Sequence, residues 1–178
     1  MKKILCIFAL MSCVVSASAQ ISKIPQRNEL AQVEINDGDL TLEVFNTPKD
    51  GVNNYYLSVG HLGIGDDIVQ VQIDPVSELF IPLGHTVAES LETLEKLKAL
   101  YKEAVGTSIE VDGNLSIGFP KDNLEKVTVT HRKPLLSHML EFSVARGQYI
   151  RATHISKSDF GSIVSSVKMY RRIHPKEK

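Results

Sequence analysis

Two stripes of apolar residues at helical spacing interrupt a chain otherwise written largely in period-two alternation. Val87, Leu91, Leu94, Leu97 and Tyr101 recur every three or four residues, and Phe160, Ile163, Val164, Val167 and Tyr170 do the same. Ahead of the first stripe, Tyr55, Leu57, Val59 and His61 alternate with polar neighbours; Val69, Val71 and Ile73, then Leu79, Ile81 and Leu83, continue the pattern. Ahead of the second stripe the same holds for Glu125, Val127, Val129 and His131, then Leu140, Phe142 and Val144, then Ile150, Ala152 and His154. Alternation puts every second side chain on one side of a strand, so each run predicts a sheet with one apolar face. A helix with a single apolar stripe must bury it, and such a sheet supplies the place.

The two halves also share wording. The stretch VEINDGDLTL starts at Val33, and IEVDGNLSI starts at Ile109. Each reads apolar, Glu, apolar, an Asp/Asn/Gly turn, then apolar, hydroxyl, apolar. Pro48-Lys49-Asp50 is matched by Pro120-Lys121-Asp122. Self-similarity at a near-fixed offset is the signature of a repeated supersecondary unit. The predicted fold is therefore α+β and internally duplicated. Two units of four or five strands and a helix, about 31–105 and 107–172, form one domain over 20–178. They share one large curved antiparallel sheet with both helices on one face. The layout resembles the saddle of TATA-binding-protein-like and β-lactamase-inhibitor-like repeats, in arrangement alone. A lipocalin-type barrel is the alternative, and the long helix from Thr86 to about Ala104 fits it poorly.

Local signals place the helix ends. Thr86-Val87-Ala88-Glu89 has the form of a capping box, in which hydroxyl and carboxylate satisfy free backbone N–H groups. Gly106 stops that helix. Ser156 or Ser158 caps the second helix, and Lys168, Arg171 and Arg172 lie near its end, where cations complement the helix dipole. Asp37-Gly38 predicts a tight hairpin turn, because the required positive φ suits Asn, Asp and Gly.

The first residues, MKKILCIFALMSCVVSASAQ, carry Lys2 and Lys3 ahead of an apolar run and a small-residue Ala17-Ser18-Ala19 site. They read as a secretory signal peptide over 1–19, with Gln20 opening the mature chain. The apolar run is too short to span a bilayer, which needs about 20 residues. An alternative reads Leu10-Met11-Ser12-Cys13 as a lipoprotein signal with Cys13 acylated. Cys6 and Cys13 are the only cysteines. The exported chain would then have no disulfide, thiol nucleophile or thiolate metal site. A periplasmic or secreted location follows. The formal net charge is −1, and no long basic run exists. Nucleic acid is thereby excluded as an expected partner, and an anionic membrane surface is disfavoured.

Two candidate surfaces remain. If Val127 and Val129 face the helices, Thr128 and Thr130 face away. The same parity assigns Tyr56, Ser58, Gln70, Gln72, Phe80, Glu141, Ser143, Tyr149, Arg151 and Thr153 to the open face. Aromatics and Arg scattered among amides and hydroxyls suit an interface core. This face is the expected contact for a protein, peptide or glycan, although antiparallel sheets commonly leave one side simply wet. The second surface is a histidine trio. Pairing Val129 with Leu140 puts His131 opposite His138, and pairing Leu140 with His154 sets His154 diagonal to His138. Three such imidazoles could hold zinc with an open fourth position. No compact catalytic motif accompanies them. GHLGIG from Gly60 is flanked by strands rather than leading into a helix, so it lacks the setting of a phosphate cradle. No Gly-x-Ser-x-Gly elbow is present. The leading expectation is a non-catalytic exported binding module without a cofactor. A small zinc enzyme and a structural homodimer are the alternatives.

Overall fold

The computed structural model describes residues 26–35, 40–60, 78–146 and 149–175, with the backbone alone at 146 and 149–151. The expected leader, the Asp37-Gly38 turn, the strand around Val69–Ile73 and the GHLGIG stretch beyond Gly60 lie outside these residues. The described chain forms eight strands and two helices. These are β1 (Asn28–Ile35), β2 (Leu40–Asn46), β3 (Tyr55–Val59), β4 (Glu78–Gly84), α1 (Val87–Ala99), β5 (Ser108–Ser116), β6 (Glu125–Arg132), β7 (Met139–Arg146), β8 (Tyr149–Ser156) and α2 (Lys157–Ile173). A 3-10 turn, Leu100–Lys102, extends α1. The strands make one antiparallel sheet in simple sequence order from β1 to β8.

Both helices lie on the same side and bury the stripes that the periodicity marked. Val87, Leu91, Leu94 and Leu97 of α1 and Phe160, Ile163, Val164 and Val167 of α2 are buried. They share a core with Leu42, Val44, Leu57, Val59, Ile81, Val127, Val129, Leu140, Phe142 and Ile155 of the sheet. α1 packs on β3 and β4. α2 leaves β8 yet packs on β1, β2 and α1, so the sheet must curve for its last helix to reach its first strands. Tyr101 pins this arrangement: its hydroxyl lies 2.8 Å from Ile155 O and 3.0 Å from Ser156 O. Burial pushes that phenol's pKa far up, so it remains a donor.

The caps follow the sequence closely. Thr86 accepts from Glu89 N–H at 3.1 Å, while the Glu89 carboxylate accepts from His85 N–H at 2.6 Å, one residue before the box position. Ser156 caps α2 and accepts from Asp159 N–H.

Four strands and a helix thus occur twice in order, but the shared wording does not fall at equivalent places. VEINDGDLTL spans the β1–β2 hairpin, with Ile35 paired to Leu40. IEVDGNLSI contains no turn: Asp112, Gly113 and Asn114 run inside the unbroken strand β5. Likewise Pro48-Lys49-Asp50 follows the second strand and Pro120-Lys121-Asp122 the fifth. Gly113 explains the difference. Up to Gly113 the strand pairs with β6, and from Asn114 it pairs with β4. A Cβ at Gly113 would lie 2.4 Å from Val127 Cγ2 and 3.2 Å from Phe80 O. The glycine lets neighbouring strands approach closely rather than turning the chain.

Replacing Gly113 by Ala should therefore cost about 1–3 kcal/mol, the usual range for overpacking a core. Urea denaturation would show it as a lower midpoint with an unchanged slope.

Candidate binding surface

The face away from the helices has two very different halves. Over β2–β4 it is closed, and the closure begins with one extra residue. In β1, Glu29 pairs with Phe45 and Ala31 with Val44, so Leu30 is a bulge. A one-residue insertion switches which side of the sheet the preceding side chains occupy. Ala31 and Ile35 point into the core, but Glu29 and Arg27 fall on the outer side.

Arg27 then lies over Phe45, its Cζ 4.3 Å from the ring centre and 5.8 Å from that of Phe80. Nε donates to Glu43 Oε1 at 3.1 Å, and Nη2 donates to Glu43 Oε2. Nη2 also reaches Glu78 Oε2 at 3.0 Å, and Nη1 donates to Gly118 O at 3.0 Å. Ser58 Oγ donates to Glu78 at 2.7 Å. Although burial by itself would lower the Arg27 pKa, hydrogen bonds and charge attraction from Glu43 and Glu78 outweigh it and raise the value.

The β5–β6 connection, residues 117–124, completes the cover. Asn114 Nδ2 donates to Asn123 O at 2.7 Å and its Oδ1 accepts from Lys121 N–H at 3.0 Å. Ser116 Oγ donates to Phe119 O. Lys49 Nζ meets Asp122 at 2.9 Å. Phe45 stacks on Tyr56 and meets Phe80 edge-on, both at 5.8 Å. Phe80 is on the expected side of the sheet but 0% exposed, so it is packed rather than offered. Tyr56 is half-buried, and its burial raises the phenol pKa.

Over β6–β8 the outer face is polar and partly open, although Thr130, opposite Glu141, is buried and shares a 2.9 Å hydroxyl–hydroxyl hydrogen bond with Ser108. Thr128 and Ser143 are half-buried and directly paired. Lys126 bonds Asp112 at 2.6 Å. The dominant feature is a row across three strands. Arg132 donates through Nε and Nη2 to Glu141 Oε1 at 3.2 and 2.9 Å, while Glu141 Oε2 lies 3.0 Å from His154 Nε2. Hydrogen bonding from Arg132, with a smaller contribution from His154, holds the Glu141 carboxyl below its usual range.

The row owes its third member to a register that differs from the expected one. β7 and β8 pair Arg146 with Tyr149, so Glu141 faces His154 and Leu140 faces Ile155. The expected ladder, with Val144 opposite Ile150 and Leu140 opposite His154, is one residue out of step with this one. A one-residue difference exchanges the faces of His154 and Thr153. Thr153, expected outside, is buried opposite Phe142. Arg151 stands opposite Val144 and Tyr149 opposite Arg146 in the ladder; their side chains, like Gln70 and Gln72, lie outside the described residues.

The same register separates the histidine trio. His154 is on the outer face, whereas His131 is 1% exposed on the helix side. In β6–β7, Val129 pairs with Phe142 and His131 with Leu140, two residues from the expected pairing. His138 lies just outside β7, yet its Nδ1 comes 2.8 Å from His131 Nε2. His131 Nδ1 is 2.9 Å from Glu103 O. A carbonyl only accepts, so Nδ1 of His131 is the donor there, and Nε2 accepts from His138 Nδ1–H. Two of the three imidazoles meet, and no group of three His, Cys, Asp or Glu side chains suited to a metal occurs among the described residues. No described helix is long and apolar enough to cross a membrane.

No family model, no curated protein and no solved structure matches this chain.

Two outcomes are expected. Arg27→Met leaves Glu43 and Glu78 facing each other without their cation, and should cost about 2–4 kcal/mol, near the range for breaking a buried pair on one side. Adding Glu43→Gln should recover part of that loss in denaturation midpoints. Desolvation, then Lys133, His131 and Lys157, lower the His138 pKa. The folded chain therefore binds this proton less readily than the unfolded one. The contribution is full above about pH 6.5 and lost as pH falls through the depressed folded value. Stability measured down to about pH 5 should fall less steeply in His138→Asn than in the parent.

Proposed function

We propose that the protein is a non-catalytic binding module that holds a protein, peptide or glycan against the outer face of β5–β8. One observation carries the reading. The β2–β4 half of this face is sealed by Arg27 and residues 117–124, while no described element covers Thr128, Ser143 or the Arg132–Glu141–His154 row. A planar guanidinium presents its donors in a fixed fork, suited to carboxylates and amides. Hydroxyls beside it offer both donor and acceptor. Residues 1–19 act as an export signal in this reading, which puts the module in the periplasm or outside the cell. We further infer that the two halves descend from one four-strand-plus-helix unit, a view supported by their repeated element order.

The test is site-specific photocrosslinking in the producing cell. A crosslinker at Thr128 should trap a discrete adduct that disappears when Ser143→Arg is added. One at Glu92, on the exposed side of α1, should trap none. Adducts at position 92 alone, or none at position 128, would overturn the assignment of this face.

A further inference from the structure

The β6–β7 connection carries two leucines that pack on almost nothing. Leu135 is 96% exposed and Leu136 is 91% exposed. They sit in a four-residue turn closed by Ser137 N–H on Pro134 O at 3.2 Å. Leu135 takes φ 56° there, a conformation that a bulky side chain rarely adopts and that glycine fills without strain. Neither burial nor backbone preference accounts for a leucine at this position. Strained, exposed residues of this kind cluster where a ligand or partner is met.

The surroundings of the tip say which partner. The 103–107 segment lies at the same end, with Gly106 N–H on His131 O and His131 N–H on Thr107 O, and it exposes Val105. The start of α2 joins it through Lys157 N–H on His138 O. Lys133 and Lys157 flank His138, and their charges act on it together with that of His131. Of the nearby acids, Glu141 is paired with Arg132 and His154, whereas Asp159 accepts only the Ser156 hydroxyl and keeps its charge. Glu103 stands beside Lys102 in the chain, so Lys102, Arg132, Lys133 and Lys157 outnumber Glu103, Glu141 and Asp159 at this end. Lys133 and Lys157 pair with no carboxylate among the described residues. A projecting apolar tip with Lys133 and Lys157 at its base is not a groove that needs a matching protrusion. It matches a soft apolar phase under a negatively charged surface.

We propose that this loop seats the protein on an anionic lipid bilayer, with Leu135 and Leu136 entering the acyl boundary and Lys133 and Lys157 facing the headgroups. Buried apolar area and attraction to anionic lipid together set the strength of such binding. The whole-chain charge balance, which disfavours this partner, averages the local excess away.

The test is co-sedimentation of the full chain with phosphatidylcholine vesicles that contain about one third phosphatidylglycerol, each lysine near the surface counting for about fivefold in binding. Any N-terminal apolar segment is common to parent and variants, so differences report the loop alone. Leu135→Ser with Leu136→Ser should weaken partitioning at least about tenfold, given the apolar area withdrawn. Lys133→Glu with Lys157→Glu should weaken it at least about tenfold and remove its salt dependence. Leu135→Gly should weaken partitioning while leaving thermal stability equal or higher, which a purely structural leucine would not do. Equal partitioning of parent and leucine variant, or equal binding to pure phosphatidylcholine, would overturn the proposal. So would a parent that does not sediment, including one whose oligomeric state changes on loss of the leucines, since the tip would then seat in a second copy.

Discussion

The guanidinium of Arg27 has to meet two carboxylates, a backbone oxygen and an aromatic ring at once, and it can do so only from the outer side of β1. That position exists because Leu30 is squeezed out of the ladder between Glu29 and Ala31. Without the bulge, Arg27 would share the core side with Ala31. With it, β1 puts Ala31 and Ile35 under α2 and a cation over Phe45. Glu43 and Glu78 stand on different strands, and each would be costly to cover alone; one planar cation compensates both. The clamp thereby ties β1 to β2 and β4 and, through Gly118, to the β5–β6 connection.

This division of the sheet shapes the functional reading. An antiparallel sheet with helices on one side commonly leaves the other side to water. Here half of that side is a second, smaller packed layer of Phe45, Phe80 and Tyr56 beneath Arg27 and the 117–124 segment. The remaining half keeps Thr128, Ser143 and its Arg–Glu–His row in reach of solvent. At its end, a strained turn carries two leucines away from the body. A module attached by that end would leave its polar face clear for a second contact.

The helices and the core face were legible in the sequence because period and burial are local properties. Thr86 and Ser156 cap as read, and Leu57, Val59, Val127 and Val129 face the helices as alternation requires. Register was not legible. Whether the β7–β8 turn holds two residues or three decides the face of His154 and Thr153, and Arg146-Gly147-Gln148 permits either. Asp-Gly reads as a turn in the β1–β2 stretch and again at Asp112-Gly113, yet the second lies inside a strand. Only the nearness of Val127 and Phe80 to Gly113 tells them apart, and that is a property of the assembled sheet. The Leu30 bulge leaves no mark in composition, so nothing in the sequence marks Arg27, Glu43, Glu78 and Asn114 as partners. Lys133 and Lys157 were hidden by a near-neutral total charge.

The most direct test of the sealed-and-open division is the NMR signal of the Arg27 Nε proton. The clamp predicts a slowly exchanging resonance, with side-chain δ protons shifted upfield by the Phe45 ring and cross-peaks to that ring and to Phe80. Rapid exchange, ring-free shifts and no aromatic cross-peaks would mean that Arg27 is loose in solvent. The β2–β4 half would then be as open as the rest, and nothing would distinguish β5–β8 as the contact face.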